Sequence, residues 1–564
     1  MSESKEPQVQ SRSEKIVAFL IASITVLIAI VTFLQTYASG KGNEADRTST
    51  QYAIQAMQVK TSGETRDSHD WEGGYQAWYE LDLQALGADL SGDTAAAQRY
   101  RAIRDHILKL SPLLSSKYFT PDSGLSPDYA GYQADTYLVE STRLEQKFQA
   151  YNSIGDAWDN RSNAFVVHLT LLAVSLSLLG LSTTIIGVMR RFFIALATII
   201  AAVVAVWAAF VMLLPLPTIP DSAINTYSEG VGLAWRGDYE NAIQKFDMAL
   251  ADKPKYGDAL YERGNAYYSL GDYPSAARDF EAAVRAGRDD TNVGWNLGWT
   301  YYMLGRFDDA IRVDRSTLSQ DPSLVAVRFN LALALMSNGQ FDEARTEYEN
   351  GISQAVKEVE SAHQSGVQPP SSFWYYMDAS AIDIDNLLLS MNDHLKPWSE
   401  APAHSSVTAD PVKLRALANE MFYQLKDTTA SLEFTGKAPP QTQKPTASAF
   451  QFAQEEYDDK GDFVKYDIAK SFPYGINSMV VLYDYNGMKP GASEIWKVYR
   501  NGAEDPTLRV VTTWPLGESG SAAKPISFAY SDLFVFSPGE YTVELYIDSH
   551  LIGRGTFTVE EKKQ

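Results

Sequence analysis

The stretch YERGNAYYSLGDYPSAARDFEAAVRAGRDD, residues 261–290, decides the reading of this chain, because its landmarks return every 34 residues. Gly230, Gly264, Gly298 and Ala332 form one ladder, and Ala242, Ala276, Ala310 and Ala344 form a second. A third runs through Gly237-Asp238-Tyr239, Gly271-Asp272-Tyr273, Gly305-Arg306-Phe307 and Gly339-Gln340-Phe341. A fixed period of this length means one supersecondary unit stacked on copies of itself. Such stacks make binding surfaces rather than active sites, so an enzyme is not expected.

On the N-terminal side, Ile16 to Tyr37 carries no charge, and Ala164–Met189 and Phe192–Thr218 are uncharged apart from His168. Each exceeds the ~20 residues that cross a hydrocarbon core of ~30 Å. The pattern predicts a cytoplasmic tail over 1–15, spans at 16–37, 164–189 and 192–218, and a tight hairpin between the last two at Arg190-Arg191. Lys5, Arg12, Lys15 and the arginine pair outnumber Lys41, Arg47 and Arg161 near the opposite ends. That bias puts the N-terminus and the hairpin tip in the cytoplasm, with 38–163 and everything after 219 outside. Thr36-Tyr37-Ala38 has the small residues of a signal cleavage site, but the apolar run is longer than a signal peptide's, which favours an uncleaved anchor. Either choice leaves the same parts outside.

Residues 38–163 read as an extracytoplasmic helical segment. Ala95–Leu110 follows the helix-starting Ser91 and Asp93 and stops before Pro112; Asp128–Asp159 has helical spacing and runs on into the second span. Bundle packing and membrane-interface anchoring both explain the clustered Trp71, Tyr75, Trp78 and Tyr79, with packing the preferred reading. Asp67-Ser68-His69-Asp70 reads as a helix start rather than a cation site. One span, a helical insert and a two-span hairpin are similar in topology to some bacterial membrane proteins, a likeness that implies no activity.

The repeats, over 219–356, resemble the tetratricopeptide repeat family, a helix–turn–helix of 34 residues. The second copy carries its pattern in Gly264, Tyr267, Ala276, Phe280 and Ala283, and the first in Gly230, Ala242, Phe246, Ala249 and Pro254. The third keeps Gly298, Tyr301, Ala310 and Pro322 but has Asp314 where an aromatic belongs; the fourth keeps Ala332, Ala344 and Tyr348. The resemblance implies a stack whose first helices line an inner groove. Carrying over the family's groove positions gives Tyr227, Trp235, Tyr261, Asn265, Tyr268, Trp295, Trp299, Tyr302, Phe329 and Met336 as the protein-binding set. No Lys or Arg is among them, so a clamp for a peptide's terminal carboxylate is not expected. An aromatic groove suits an apolar helix or extended peptide. The apolar segment Phe373–Leu395 is an equally good occupant from the chain itself.

Capping and additional helices are expected over 357–434, including Leu414–Leu425, then a linker over 435–448. From 449 to 564 apolar runs alternate with turn signals: Met479–Tyr485, Glu494–Arg500, Leu508–Trp514, Ile526–Tyr530, Tyr541–Ile547 and Gly555–Val559. That pattern fits a β-sandwich. Ser537–Tyr546 and Gly555–Val559 look like the closing hairpin of immunoglobulin-like modules on bacterial surface proteins. Trp496 and Trp514 are expected in its core, with sugar stacking as the alternative.

The fold class is therefore multidomain: mainly α, with transmembrane helices, a helical bundle and an α-solenoid, plus a C-terminal all-β sandwich. The chain has no cysteine, which excludes disulfides, thiol catalysis and cysteine-held metals. Its seven histidines show no metal spacing, and no phosphate loop or nucleophile elbow is present. No catalytic residue, metal or cofactor is expected. The net charge of −22 disfavours nucleic acid. These readings point to a multi-pass plasma-membrane scaffold recruiting a protein partner through extracytoplasmic repeats, and a homo-oligomer is compatible with it. The alternatives are an envelope polysaccharide binder acting through the sandwich, and an accessory subunit of a transport or secretion complex.

Overall fold

The computed structural model describes residues 12–121, 126–368, 372–391, 397, 401–402, 406–438, 444–458, 463–527 and 535–561. The chain divides into two compact units, Met1–Leu270 and Gly271–Gln564.

The first unit is helical. Helix α1 (Arg12–His69) passes through a π-helical stretch, Asp70–Gln76, into α2 (Ala77–Leu90). No proline interrupts it, and the helix from Glu14 to Leu90 is continuous for 77 residues. At 1.5 Å per residue that is about 115 Å. The Asp67–Asp70 stretch is thus mid-helix, not a helix start. Helix α3 (Thr94–Leu110) folds back along α2, started by Asp93, whose carboxylate accepts from the Ala96 N–H at 2.9 Å. Helix α4 (Tyr129–Gln133) leads through a second π-helical stretch, Ala134–Leu138, into α5 (Val139–Thr184). As expected from its spacing, this second long helix runs unbroken into an apolar half.

Helices α1 and α5 lie antiparallel. Tyr37 meets Trp158 (5.8 Å), Tyr52 meets Tyr151 (5.6 Å), and Gln133 donates to Asp67 (2.8 Å). Val17, Ile24, Val31, Ala38 and Ala45 are buried every seventh residue of α1, as are Phe165, Leu172 and Leu179 of α5. That period is a coiled-coil seam. Gly42 and Gly155 permit close approach: a Cβ there would lie 2.5 Å from Asp159 Oδ1 and 2.3 Å from Asp46 Oδ1.

Helix α6 (Val188–Leu213) completes an apolar three-helix core with α1 and α5. All three helices are long and apolar enough to cross a membrane. The reversal between α5 and α6 falls at 185–187, before the arginine pair expected there. Gly187 takes φ +82°, a conformation arginine resists, and Arg190-Arg191 instead sit in the first turn of α6. Arg161 ties the far end, donating to the Leu214 carbonyl and stacking over Trp158 at 4.4 Å.

Helices α7 (Asp221–Trp235), α8 (Tyr239–Asp252) and α9 (Gly257–Ser269) follow. In the second unit the series continues with α10 (Tyr273–Arg285), α11 (Thr291–Met303), α12 (Phe307–Gln320), α13 (Val325–Ser337) and α14 (Phe341–Gln364). Those eight helices are the four expected pairs. Two more follow: α15 (Ser372–Ser390) and α16 (Pro411–Thr435). The expected helix Phe373–Leu395 is α15 as far as Ser390; 392–395 lie outside the described residues. The second expected helix is longer than its apolar run. Asp410 caps it, accepting from Val412 and Lys413 N–H at 2.9 and 3.0 Å, and Gly436 ends it at φ +66°.

The C-terminal strands are β1 (Thr446–Ala447), β2 (Gln451–Tyr457), β3 (Phe463–Ala469), β4 (Ser471–Phe472), β5 (Ser478–Asn486) and β6 (Ser493–Arg500). They continue as β7 (Ala503–Glu504), β8 (Val510–Thr513), β9 (Ser519–Ser527), β10 (Gly539–Ile547) and β11 (His550–Val559). One sheet has β5 paired with β1, β2 and β9, and β2 with β3; the other has the order β4-β11-β10-β6-β7, with β8 also on β6. All pairings are antiparallel except β4 with β11. The two sheets enclose one core around Phe452, Met479, Val481, Trp496, Trp514 and Phe557. Of the strand expected at Ile526–Tyr530, 528–530 lie outside the described residues; Ile526 and Ser527 end a strand that starts at Ser519 and pairs along all of β5. Part of the expected linker, 439–443, lies outside the described residues.

Candidate functional site

The packing of a repeat explains where its aromatics point. A Cβ on Gly230 would lie 2.6 Å from the ring of Phe246, so a glycine at the eighth position makes room for the aromatic at the twenty-fourth. Tyr227 leans on that ring (5.9 Å) and on Tyr256 (5.2 Å), and Phe329 stacks on Tyr348 at 6.0 Å in the fourth repeat. At 5% and 3% exposure, Tyr227 and Phe329 face into their own repeats.

The third repeat departs from this. Asp314 occupies the aromatic's place, and a Cβ on Gly298 would lie 2.0 Å from its Oδ1. The carboxyl is buried, and Oδ1 has no hydrogen-bond partner among the described residues. Burial drives its pKa well above the carboxylate range. Trp295, without its usual ring partner, meets Tyr376 of α15 edge-on at 5.9 Å.

Helix α15 is an integral layer of the second unit. It packs on α13, α14 and α16, with Met377, Ala381, Ile384 and Leu387 fully buried. Met336 is fully buried and Tyr302 is 2% exposed. Burial raises the Tyr302 phenol well above its usual value, and the Asp383 carboxylate of α15 adds to this. Trp299 stacks on Tyr302 at 5.0 Å and stays partly exposed. In the first unit Trp235 donates its indole N–H to Gln133 Oε1 at 3.0 Å, and Tyr256 donates to Gln146 at 2.6 Å, so the first pair is seated on α4 and α5. Tyr261, Asn265 and Tyr268 are partly exposed, with Asn265 donating to Glu262 at 3.1 Å. Of the positions expected in the groove, Trp235 faces α4 and Trp295 faces α15, while Tyr227 and Phe329 fill their own repeats.

A polar seam that sequence reasoning missed joins α15 and α16 to the outer face of the second sheet. Lys426, 3% exposed, bridges Asp378 at 2.6 Å and Glu544 at 3.4 Å and donates to Tyr499 at 3.1 Å. Arg554 grips Asp385 with two bonds of 2.9 and 2.7 Å. Glu433 accepts from Lys497 (2.5 Å) and Arg509 (2.6 Å), and Asp427 accepts from the Leu551 N–H (2.6 Å). A cavity of about 20 Å³ lies among Asp385, Lys426, Glu544 and Arg554, room for a single water. Burial opposes the charge on Lys426, but Asp378 and Glu544 outweigh it and raise its pKa; Lys426 in turn holds Asp378 low against the same penalty. Trp496 and Trp514 are 0% and 2% exposed, so neither offers a face to a sugar. Among the described residues no group of three or more acidic or histidine side chains is placed to hold a metal ion.

Comparison with known proteins agrees with the repeat reading. Residues 227–291 and 301–364 match the tetratricopeptide repeat family. That module is a protein-interaction scaffold, and neither match is to a catalytic family. No curated protein matches the chain. Among solved structures, YrrB, described as a TPR protein with an unusual peptide-binding site, is 18% identical over 35% of this chain and 86% of its own, with a TM-score of 0.24. MamA from Desulfovibrio magneticus RS-1 is 14% identical over 36% of this chain and 97% of its own (TM-score 0.25). A tetratricopeptide repeat protein from Parabacteroides merdae ATCC 43184 is 12% identical over 61% of this chain and 99% of its own (TM-score 0.22).

Proposed function

We propose that the protein is a membrane-anchored interaction scaffold with its stalk, repeats and sandwich on the extracytoplasmic side. The observation that carries this reading is in the first unit. The α1–α5 stalk and the first repeat leave the apolar three-helix core at the same end, and Arg190-Arg191 lie at the other. The positive-inside bias then assigns the arginine end to the cytoplasm.

The groove serves two purposes in this account. Trp295, Tyr302 and Met336 hold α15 as a built-in cap, while Tyr261, Asn265 and Tyr268 are the partner-facing residues of the first unit. An immunoglobulin-like sandwich is supported by the parallel β4–β11 pairing and by Tyr541, whose hydroxyl donates to the Ser537 carbonyl at 2.8 Å as in a tyrosine corner. It acts here as a rigid extension docked on α16. The test is co-purification from gently solubilised membranes with Tyr261→Ala/Tyr268→Ala beside Trp295→Ala. The first variant is expected to lose the partners of the native chain with its stability unchanged, and the second to keep them with a lowered Tm. Retention by the first variant of every partner would refute the assignment.

A further inference from the structure

We propose that the α2–α3 hairpin at the far end of the stalk is a self-association surface, on which α2 of one copy packs against α3 of a second copy of this chain. The hairpin buries little of its own apolar surface: only Trp78 and Ala85 of α2 and Ala97 of α3 are buried. Tyr79, Leu83, Leu86 and Leu90 form an exposed stripe on α2, ending in Leu90 at 83% exposure. Their spacing is that of a coiled-coil seam without its partner. On α3, Tyr100, Ile103 and Leu110 continue the pattern, with Ile103 52% and Leu110 68% exposed, while Ile107 between them packs on the Trp78 core.

Charge says what covers these stripes. Helix α2 carries Glu80, Asp82 and Asp89 and no base; α3 carries Arg99, Arg101, Arg104 and Lys109 against Asp105. Within the hairpin Arg104 pairs with Asp82 and Arg101 with Asp89. Among the described residues Arg99 reaches only the Ala95 carbonyl of its own helix (3.3 Å). Glu80 and Lys109 form no ion pair among the described residues. An α2–α2 or α3–α3 contact would set like charges together, whereas α2 against α3 sets opposite ones together. Laid antiparallel with Leu86 across from Ile103 of the second copy, the helices also place Tyr79 by Leu110 and Glu80 by Lys109. An anionic bilayer would repel the acidic flank of α2.

The chain has no cysteine, so single cysteines report the contact without background. The full-length protein carrying Leu86→Cys is mixed in detergent with the full-length protein carrying Ile103→Cys and treated with a short bismaleimide. The mixture is expected to cross-link at least about tenfold more than either protein alone. With one cysteine per chain the expected product is a covalent dimer. Adding Glu80→Lys to the first protein is expected to lower the yield about two- to fivefold, and Lys109→Glu in the second to restore it. The proposal is overturned if Leu86→Cys alone cross-links as well as the mixture, if the charge changes have no effect, or if nothing cross-links. Flotation of an uncross-linked monomer with liposomes through the hairpin would assign the stripe to lipid and overturn it as well.

Discussion

Replacing Lys426 by Met tests whether the sandwich is welded to the helical layers. The ammonium sits between Asp378 and Glu544, the latter 1% exposed, and removing it leaves both carboxylates without their shared cation. Breaking a buried pair in this way costs about 3–5 kcal/mol, which corresponds to about 10²- to 10⁴-fold in the docking equilibrium. The assay uses a specific protease site inserted at 439–443, between α16 and the sandwich. After cleavage the native sandwich should stay with the rest of the chain on gel filtration, and the Lys426→Met sandwich should elute separately. The pH dependence follows from the shifts. Asp378 is held below its unfolded value, so its contribution is present above about pH 4 and lost on further acidification; Lys426 is held above its own, so its contribution lasts to beyond about pH 10. The cleaved native complex should therefore hold between about pH 5 and 9 and loosen below about 4. Co-elution of the Lys426→Met halves at neutral pH would refute the reasoning.

Two further substitutions follow from the same structure. Asp314→Leu should stabilise the second unit by about 1–3 kcal/mol at pH 7 in urea unfolding, since it removes a buried oxygen without a partner. Because the folded carboxyl holds its proton more tightly than the unfolded one, the native chain loses stability as pH rises above about 4, and the variant's advantage should shrink on acidification. Asp410→Ala removes the cap that holds two N–H groups of α16 and should cost about 0.5–2 kcal/mol, measured as faster amide exchange in its first turn.

The repeats were legible because close packing leaves residues of fixed size at fixed positions, and a period of 34 survives any variation on the surface. A helix start was legible at Asp93, where the cap is a single residue just before an apolar run; Asp410 and Gly436 were not, because they lie beyond the apolar run Leu414–Leu425 from which their helix was read. The continuity of α1 into α2 was not, since Asp67-Ser68-His69-Asp70 looks like a cap when the partner helix across it is unseen. Groove positions carried over from a family assume an open inner face. Here Tyr227 and Phe329 turn inward to the aromatic of their own repeat, and Asp314 frees Trp295 to meet Tyr376. The seam was hidden for another reason: Lys497, Glu544 and Arg554 read as solvated outward residues of half-buried strands until a helix is placed over them.

Because the chain lacks cysteine, labelling of single introduced cysteines by a membrane-impermeant maleimide tests the central placement most directly. Cysteines replacing Lys60 in the stalk, Asp252 in the repeats, Lys489 in the sandwich and Arg191 beside the reversal are all at exposed positions. In intact spheroplasts the account predicts labelling at 60, 252 and 489, and at 191 only after permeabilisation. Labelling of 191 with protection of the other three, or a stalk and repeats on opposite sides, would contradict it.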